Sequence, residues 1–414
     1  MAIRMATAIG KATVIKRILW FSAVLTALLL ASLIWSPAAG AGIPGTSLKV
    51  LPPLESGNLT VYPVVTGAPH DTSGFITLDE GLRSGEVVVT EAGSIRGLVR
   101  DGRRPRPISG DQVNTLVLLN KSDRPLILLA GEIVTGGKQD RIIAKDRIVP
   151  PHGDPVDLSV FCVEPGRWTA RSTNFASGAA GNNYSAGMVA PRVRAGAMAA
   201  NDQQEVWNQV RDSNKKMAAA APPEARAELE STTSYAVVMA APSVQKSVDR
   251  MAAPIERDLM KQLHERNAVG VVVAVNGEII WADVFASPAL LEKYWPKLIR
   301  SYAAEAFETR GSGGKSDVSA AQRFLDEMQG THESVESEPG VFRQTEISGA
   351  GFRAFELTSL LPKTGFDVHV AKVAQKLVAM VTPNVRPLTM VTPTVGPMRP
   401  LEKPQLVCES GCRD

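Results

Sequence analysis

The segment VVVAVNGEIIWADVFASP, residues 271–288, holds the clearest local signal in the chain. Two apolar runs, Val271 to Val275 and Glu278 to Phe285, flank Asn276-Gly277. Asn-Gly between such runs is the preferred two-residue hairpin turn, because both central positions need positive φ. Ser287-Pro288 then predicts a helix start, with Ser as the cap and Pro in the first turn. The helix carries Leu291, Trp295, Leu298, Tyr302 and Phe307 and is expected to end near Gly311, with Pro296 as a kink. Trp281, Trp295 and Tyr302 read as core.

Outward from this hairpin the two sides differ. Towards the amino terminus lie short β-type runs: Leu59 to Val65, Glu86 to Glu91, Val113 to Leu119, Leu126 to Ala130 and Val156 to Val163. Gly74, Gly85, Gly93, Gly110 and the turn at residues 120–123 separate them, as in a β-rich unit. Residues 177–200 are rich in Gly, Ala and Ser, lack a hydrophobic period and read as a loop. Helices follow at Glu205 to Met217 and Ile255 to Arg266, the second starting at Pro254 with Ile255, Leu259 and Leu263 on one face. Beyond the hairpin come a short helix from Val318 to Met328 and strands at Val341 to Ile347, Phe352 to Leu357 and Phe366 to Val370. The expectation is an α+β fold: a β-rich amino-terminal half, then a helix and β-hairpin half, forming one compound globular domain over residues 59–376.

The ends differ in character. Met1 to Arg17 carries Arg4, Lys11, Lys16 and Arg17 and no acid, an apolar run spans Ile18 to Ile34, and Pro37-Ala38-Ala39-Gly40-Ala41 follows. This is the layout of a secretory signal over residues 1–41, cleaved after Ala41, with retention of residues 18–34 as a membrane anchor the alternative. The chain is therefore expected to be exported, periplasmic or extracellular. Residues 42–58, with Pro44, Gly45, Pro52, Pro53 and Gly57, read as a linker. Residues 377–414 read as a flexible tail, since prolines recur in it and Met-Val-Thr-Pro appears twice.

Charge follows from this division. The chain has 45 Lys plus Arg and 42 Asp plus Glu; removing the four bases of residues 1–41 leaves 41 bases against 42 acids. No basic excess remains to suggest general nucleic-acid binding, and membrane contact is expected only through a retained amino-terminal segment. There are 3 cysteines, Cys162, Cys408 and Cys412, too few for a disulfide scaffold. The last two lie close enough in sequence to pair. The histidines are scattered at 70, 152, 264, 332 and 369, so no metal site is expected. The sequence does not identify a cofactor.

The densest polar stretch runs from Gly131-Glu132 through Gly136-Gly137-Lys138-Gln139-Asp140-Arg141. A second follows at Cys162-Val163-Glu164-Pro165-Gly166-Arg167-Trp168. Gly136-Gly137 permits a tight turn and close approach of a ligand. Lys138, Arg141 and Arg167 supply positive charge, and an Arg fork matches a carboxylate or phosphate. A phosphate loop fails on inspection, because Gly137 occupies the Lys position and no Lys-Ser/Thr pair follows. The blander reading pairs Glu132 with Arg141 and Glu164 with Arg167 as structural ion pairs. It also places Cys162 in a core on one strand face with Val156, Leu158 and Val160, and makes Trp168 structural.

These two motifs resemble the hallmark of the ARPP-1 family, which runs Gly-Glu, then Gly-Gly-Lys-Gln-x-Arg, then Cys-Val-Glu-x-Gly-Arg-Trp. All of those positions are filled here. The hairpin at Asn276-Gly277 and the helix from Ser287-Pro288 to Tyr302 also look like the later half of that family. The resemblance covers Leu59 to Phe307 and reaches towards Lys376. It brings no established activity. The family's name implies a neighbourhood of ADP-ribose or nucleotide metabolism by association only, and an exported chain departs from that setting.

Three functions compete on the residues. The first is a binding module for an anionic small molecule, using Gly137, Lys138, Gln139, Arg141 and Arg167. The second is a hydrolase, with Glu132 and Glu164 as a carboxylate pair or Cys162 as nucleophile. The third is a structural or interaction protein of the cell envelope. No convincing nucleophile–base pair is present, so binding stands ahead of catalysis.

Overall fold

The hairpin forms as its turn residues require. Asn276 has φ 53° and Gly277 φ 75°, and a Cβ on Gly277 would lie 2.0 Å from the Gly314 carbonyl oxygen. The structure, a computed structural model, describes residues 48–94, 98–101, 104–107, 112–172, 174–177, 187–309, 311 and 314–381. The expected signal, the tail from 382 onward and Cys408 and Cys412 lie outside the described residues.

The amino-terminal half contains β1 (Lys49–Val50), β2 (Leu54–Ser56), β3 (Leu59–Val65), β4 (Ile76–Thr77), α1 (Leu78–Ser84), β5 (Val87–Glu91), β6 (Leu98–Asp101) and β7 (Arg104–Pro107). It continues with β8 (Thr115–Asn120), β9 (Leu126–Leu128), β10 (Ile133–Thr135), β11 (Arg141–Ile143), β12 (Arg147–Val149), β13 (Val156–Cys162) and β14 (Ala176–Ser177). Helices follow: α2 (Pro191–Ala195), α3 (Gln203–Ala220), α4 (Pro223–Glu230), α5 (Tyr235–Ala240) and α6 (Pro242–Arg266). Then come the hairpin strands β15 (Ala268–Val275) and β16 (Glu278–Phe285), α7 (Pro288–Glu308) and α8 (Val318–Asp326). Last are β17 (Thr331–Glu338), β18 (Phe342–Ser348), β19 (Phe352–Ser359), β20 (Asp367–Ala374) and α9 (Gln375–Val381). The fold is α+β, as expected.

The main sheet runs β1-β3-β15-β16-β20-β19-β18-β17, with β2 paired to β3. A second sheet runs β14-β10-β11-β13-β6-β7, with β8 joining β13 to β5, and a small one runs β12-β9-β4. β15 is buried along its whole length because both of its faces are covered. Val271, Val273 and Val275 point into the large core around Trp295 and Tyr302. Val272 and Ala274 point into a smaller one with Ala321 and Leu325 of α8. The large core also takes in Ile127, Ile142, Val193 and Val210, so both halves of the chain share one interior.

Helix α7 begins where Ser287 Oγ accepts the Leu290 N–H at 3.1 Å, with Pro288 in the first turn. It is buried nearly all round and brings Lys297, Ser301, Glu305 and Glu308 inside with its apolar residues.

Four expectations need correcting. Residues 49–56 are not a linker: β1 and β2 both pair with β3, and Val50 and Leu51 are buried. Their Pro52 and Pro53 fall between the two short strands, where no ladder N–H is needed. Helix α6 starts at Pro242, not Pro254, because Val244, Val248 and Ala252 extend the apolar stripe by about three turns and Pro254 sits inside it. The described part of the Gly/Ala-rich stretch is core, not loop. Met188, Val189 and Ala190 are buried, and α2 packs against α3, α7 and α9, where small side chains let helices approach closely. At the other end α9 carries the ordered chain past residue 376, with Leu377 and Val378 buried.

Candidate functional site

The polar motif is the connection between β10 and β11. Gly136 has φ 130° and Gly137 φ 46°, so the backbone folds back in a way only glycine takes readily. A Cβ on Gly137 would lie 2.3 Å from Phe175 Cζ and 2.5 Å from Glu91 Oε1. Acids tie the turn down from inside. Asp140 Oδ1 accepts the Gly136 N–H at 3.1 Å, and Ser234 Oγ donates to Asp140 Oδ2 at 3.1 Å. Glu164 Oε2 accepts the Asp140 N–H at 3.1 Å, and Glu91 Oε1 accepts the Lys138 N–H at 2.7 Å.

Arg167 clamps the same turn. Its Nη1 donates to the Gly137 carbonyl at 3.0 Å, and its Nη2 meets Glu164 Oε2 at 2.6 Å. Arg171 reaches Glu164 Oε1 at 3.2 Å. Burial alone lifts the Glu164 carboxyl, but Arg167 and the Asp140 N–H outweigh it and hold it below the usual range. Asp140 goes the other way, raised by burial and by the neighbouring Glu164. Arg167 is thus largely engaged in holding the turn.

Arg141 is different. It starts β11 directly opposite Cys162 of β13 and is fully buried. Its Nε donates to the Val113 carbonyl at 2.8 Å. Nη1 and Nη2 are buried and meet no acceptor among the described residues. In the same motif Glu91 Oε2, Gln139 Oε1 and Arg167 Nε are also buried without a partner among the described residues. Burial draws the Arg141 pKa down, opposed by Cys162, Glu91 and Asp140. Above the guanidinium lies Trp168, whose ring centroid is 5.9 Å from Arg141 Cζ and 5.0 Å from Lys138 Nζ. Trp168 is 44% exposed and belongs to an exposed loop, so it forms a thin roof. It was expected to be structural; its indole instead faces solvent on one side and two cations on the other.

Glu132 lies outside this group, and Cys162, though opposite Arg141, is not an active thiol. Glu132 accepts the Leu129 N–H at 2.6 Å and pairs with Lys297 at 2.6 Å, while Lys297 also meets Asp79 at 2.6 Å. Burial raises the Glu132 carboxyl despite Lys297. Glu132 and Glu164 share no partner, and the expected pair of Glu132 with Arg141 does not form. Cys162 is buried, and burial pushes its thiol up, away from the thiolate a nucleophile needs. The thiol reading thereby loses its chemical basis, and each glutamate of the carboxylate reading is held by a cation of its own.

Gly131 serves a second, internal constellation. With φ 86° it lies where a Cβ would sit 2.3 Å from Arg194 Cγ. Arg194 makes a two-pronged bond to Asp283 at 2.9 and 3.1 Å and lies 4.5 Å from the Trp281 ring centroid. His369 bridges Asp283 at 3.0 Å and Asp146 at 2.6 Å, and the Tyr302 hydroxyl donates to Asp283. All six side chains are buried.

Both halves of the motif thus have structural work, one at the turn and one at Arg194. The family model for the ARG and Rhodanese-Phosphatase-superfamily-associated Protein domain matches residues 47–372. The chain belongs to the ARPP-1 family. The match begins beside β1 and ends within β20, so the ARPP-1 domain includes the strands of 49–56 that read as linker. Searches of curated proteins and of solved structures returned no match. Among the described residues of this ARPP-1 chain, no group of three metal-ligating side chains comes together.

Sequence reasoning missed Glu91, Lys297, Arg194, Asp283, Asp146 and His369. Glu91 sits 47 residues before Lys138, and His369 223 residues after Asp146, so no local pattern joins them. One signal was available: an Asp at 283 in the apolar strand after the hairpin turn marks a buried charge that needs a partner.

Proposed function

We propose that this ARPP-1 protein is a binding module for a small anionic ligand, held by Lys138, Gln139 and Arg141 beneath Trp168. The observation that carries the reading is the Arg141 guanidinium. It is buried, with both Nη atoms lacking an acceptor among the described residues, and Glu91, Asp140 and Arg167 act on its charge. Leaving a buried charged donor unsatisfied costs about 1–3 kcal/mol or more, so such a group is kept where something comes to meet it. An Arg fork accepts a carboxylate or phosphate in two parallel bonds. A nucleotide or ADP-ribose-related ligand is suggested by family association alone.

Thermal-shift screening of carboxylates, sugar phosphates and nucleotides tests this. A ligand at 100 times its Kd stabilises the fold by about 2.7 kcal/mol. The shift should vanish in Lys138→Ala and Trp168→Ala, both truncated at the surface of the site. No shift with any ligand, or one indifferent to both changes, would reject the reading. A purely structural network is favoured by one observation, the pairing of Arg167 and Arg171 with Glu164. That reading predicts the negative result.

We also infer that the chain is exported. The basic, apolar and small-residue order of residues 1–41 supports it. Among the described residues no helix is long and apolar enough to cross a membrane. Sequencing the amino terminus of the purified native protein should read from Gly42; a start at Met1 would mean the segment is kept.

A further inference from the structure

A cavity of about 390 Å³ opens at the hairpin end of the main sheet, between β15, β16, the carboxyl end of α7 and α9. That volume is within the range of small-molecule pockets. Val275, Ile279, Ile280, Leu377 and Met380 give it hydrocarbon walls. Glu278 and Lys376 stand exposed at its mouth and pair at 2.6 Å. Arg192 and Glu305, both buried, form its inner end. Charge there does not balance. Glu305 and Glu308 occupy the last turn of α7, where the carbonyl end of the helix is itself negative and favours cations. Both carboxylates crowd one nitrogen: Arg192 Nε is 3.0 Å from Glu305 Oε1 and 2.8 Å from Glu308 Oε1. Arg192 Nη1 reaches Asp212 at 3.2 Å, and Lys216 cancels Asp212 at 2.6 Å. One carboxylate is therefore in surplus. Glu308 Oε1 is buried without a hydrogen-bond partner among the described residues. Among those residues Glu305 Oε2 accepts only the Arg192 backbone N–H, at 3.1 Å, which leaves a lone pair open.

We propose that this cavity binds an organic monoamine, an ammonium group on a hydrocarbon body. The ammonium donates to Glu305 Oε2 at the inner end, and the body lies along Val275, Ile279, Leu377 and Met380. The site shares no residue with the turn at Gly137, so it stands or falls apart from the anion reading. The surplus carboxylate is what selects a cation. Burial and Glu305 push the Glu308 carboxyl up to about 8, against Arg192, Ser213 and Lys216. Tyr235 of α5 also faces Glu308 and is kept neutral by burial. At neutral pH the surplus is thus answered by a proton on Glu308. An incoming ammonium takes over that role and the proton passes to solvent, so the net charge of the cluster with its ligand is unchanged. A neutral ligand releases no proton, and a carboxylate adds to the surplus.

Calorimetric titration of the full chain with hexylamine, hexan-1-ol and hexanoate isolates the ammonium, because the three differ only in the head group. Hexylamine should bind at least about tenfold more tightly than hexanol, and hexanoate most weakly. The hexylamine affinity should rise about tenfold per pH unit up to about pH 8 and then level off, with about one proton released to the buffer per ligand at about pH 6.5. Glu308→Gln mimics the protonated acid. It should bring hexylamine down to the affinity of hexanol and abolish the proton release. Met380→Trp, at a half-exposed wall position, should weaken all three ligands. Equal binding of hexylamine and hexanol would overturn the proposal. So would hexylamine binding without proton release, binding indifferent to Met380→Trp, or no binding at all. If Glu308→Gln does not fold, the comparison of ligands on the wild-type chain still decides.

Discussion

Gly137 is the residue on which the site turns. The sequence reading took Gly136-Gly137 as a tight turn allowing close approach of a ligand. The close approach is real, but the neighbours are Phe175 and Glu91 of the protein itself. Gly137→Ala must place a side chain in left-handed backbone and push against Phe175, which should cost about 2–4 kcal/mol. Chemical denaturation would measure it, and a loss under about 1 kcal/mol would show that the turn relaxes cheaply. Lys138, Gln139 and Arg141 were legible because they are contiguous and chemically unusual. Arg167 was legible as a charge but not as a clamp, since its carbonyl partners are backbone atoms that no residue identity reveals. Glu91 was invisible, lying at the end of an ordinary apolar strand.

At the scale of elements, legibility followed periodicity and turn chemistry. The Asn276-Gly277 hairpin and the Ser287 cap were read correctly because each depends on adjacent residues only. β17 was not read at all. Its sequence, Thr331–Glu338, is polar and its first residues are exposed, as suits the charged edge of a sheet, so no alternation marks it. Helix α6 was cut short because Pro254 was given the role of a helix start, although an apolar stripe continued on its amino-terminal side. The misread Gly/Ala stretch cost most. Reading 177–200 as a loop hid α2, which carries Arg192 and Arg194 into the interior. Small side chains carry no hydrophobic period, yet they are what a close helix contact requires.

For the whole molecule, the Arg194–Asp283–His369–Asp146 cluster matters more than the turn. Asp146 comes from the β-rich half, Arg194 from the helical segment, and Asp283 and His369 from the main sheet. Burial alone would lower the His369 pKa, but the two carboxylates outweigh it and push it up to about 9. A folded pKa above the unfolded value means that the contribution is complete below about pH 6.5 and fades as pH rises through about 9. Glu308 and Glu356, each pushed up to about 8 by burial and a neighbouring acid, lose stability in the same direction, and Lys372, drawn down to about 8 by burial, opposes them. The His369 part is therefore read as a difference. The unfolding free energy of wild type minus that of His369→Gln should shrink by on the order of 3 kcal/mol between pH 6.5 and 9. A difference independent of pH would show that His369 is not the proton-carrying bridge.

The pairing of β3 with β15 has a consequence in time. Leu59 aligns with Val275 and Val61 with Val273, so the first long strand of the main sheet finds its neighbour only after more than half the chain has left the ribosome. Contacts so far apart in sequence form late and close slowly. Until then the nascent polypeptide has strands with open edges and no main sheet to close them, which exposes it to aggregation. A chain whose topology defers the closing of its main sheet is one whose open strand edges must stay covered while it is being made.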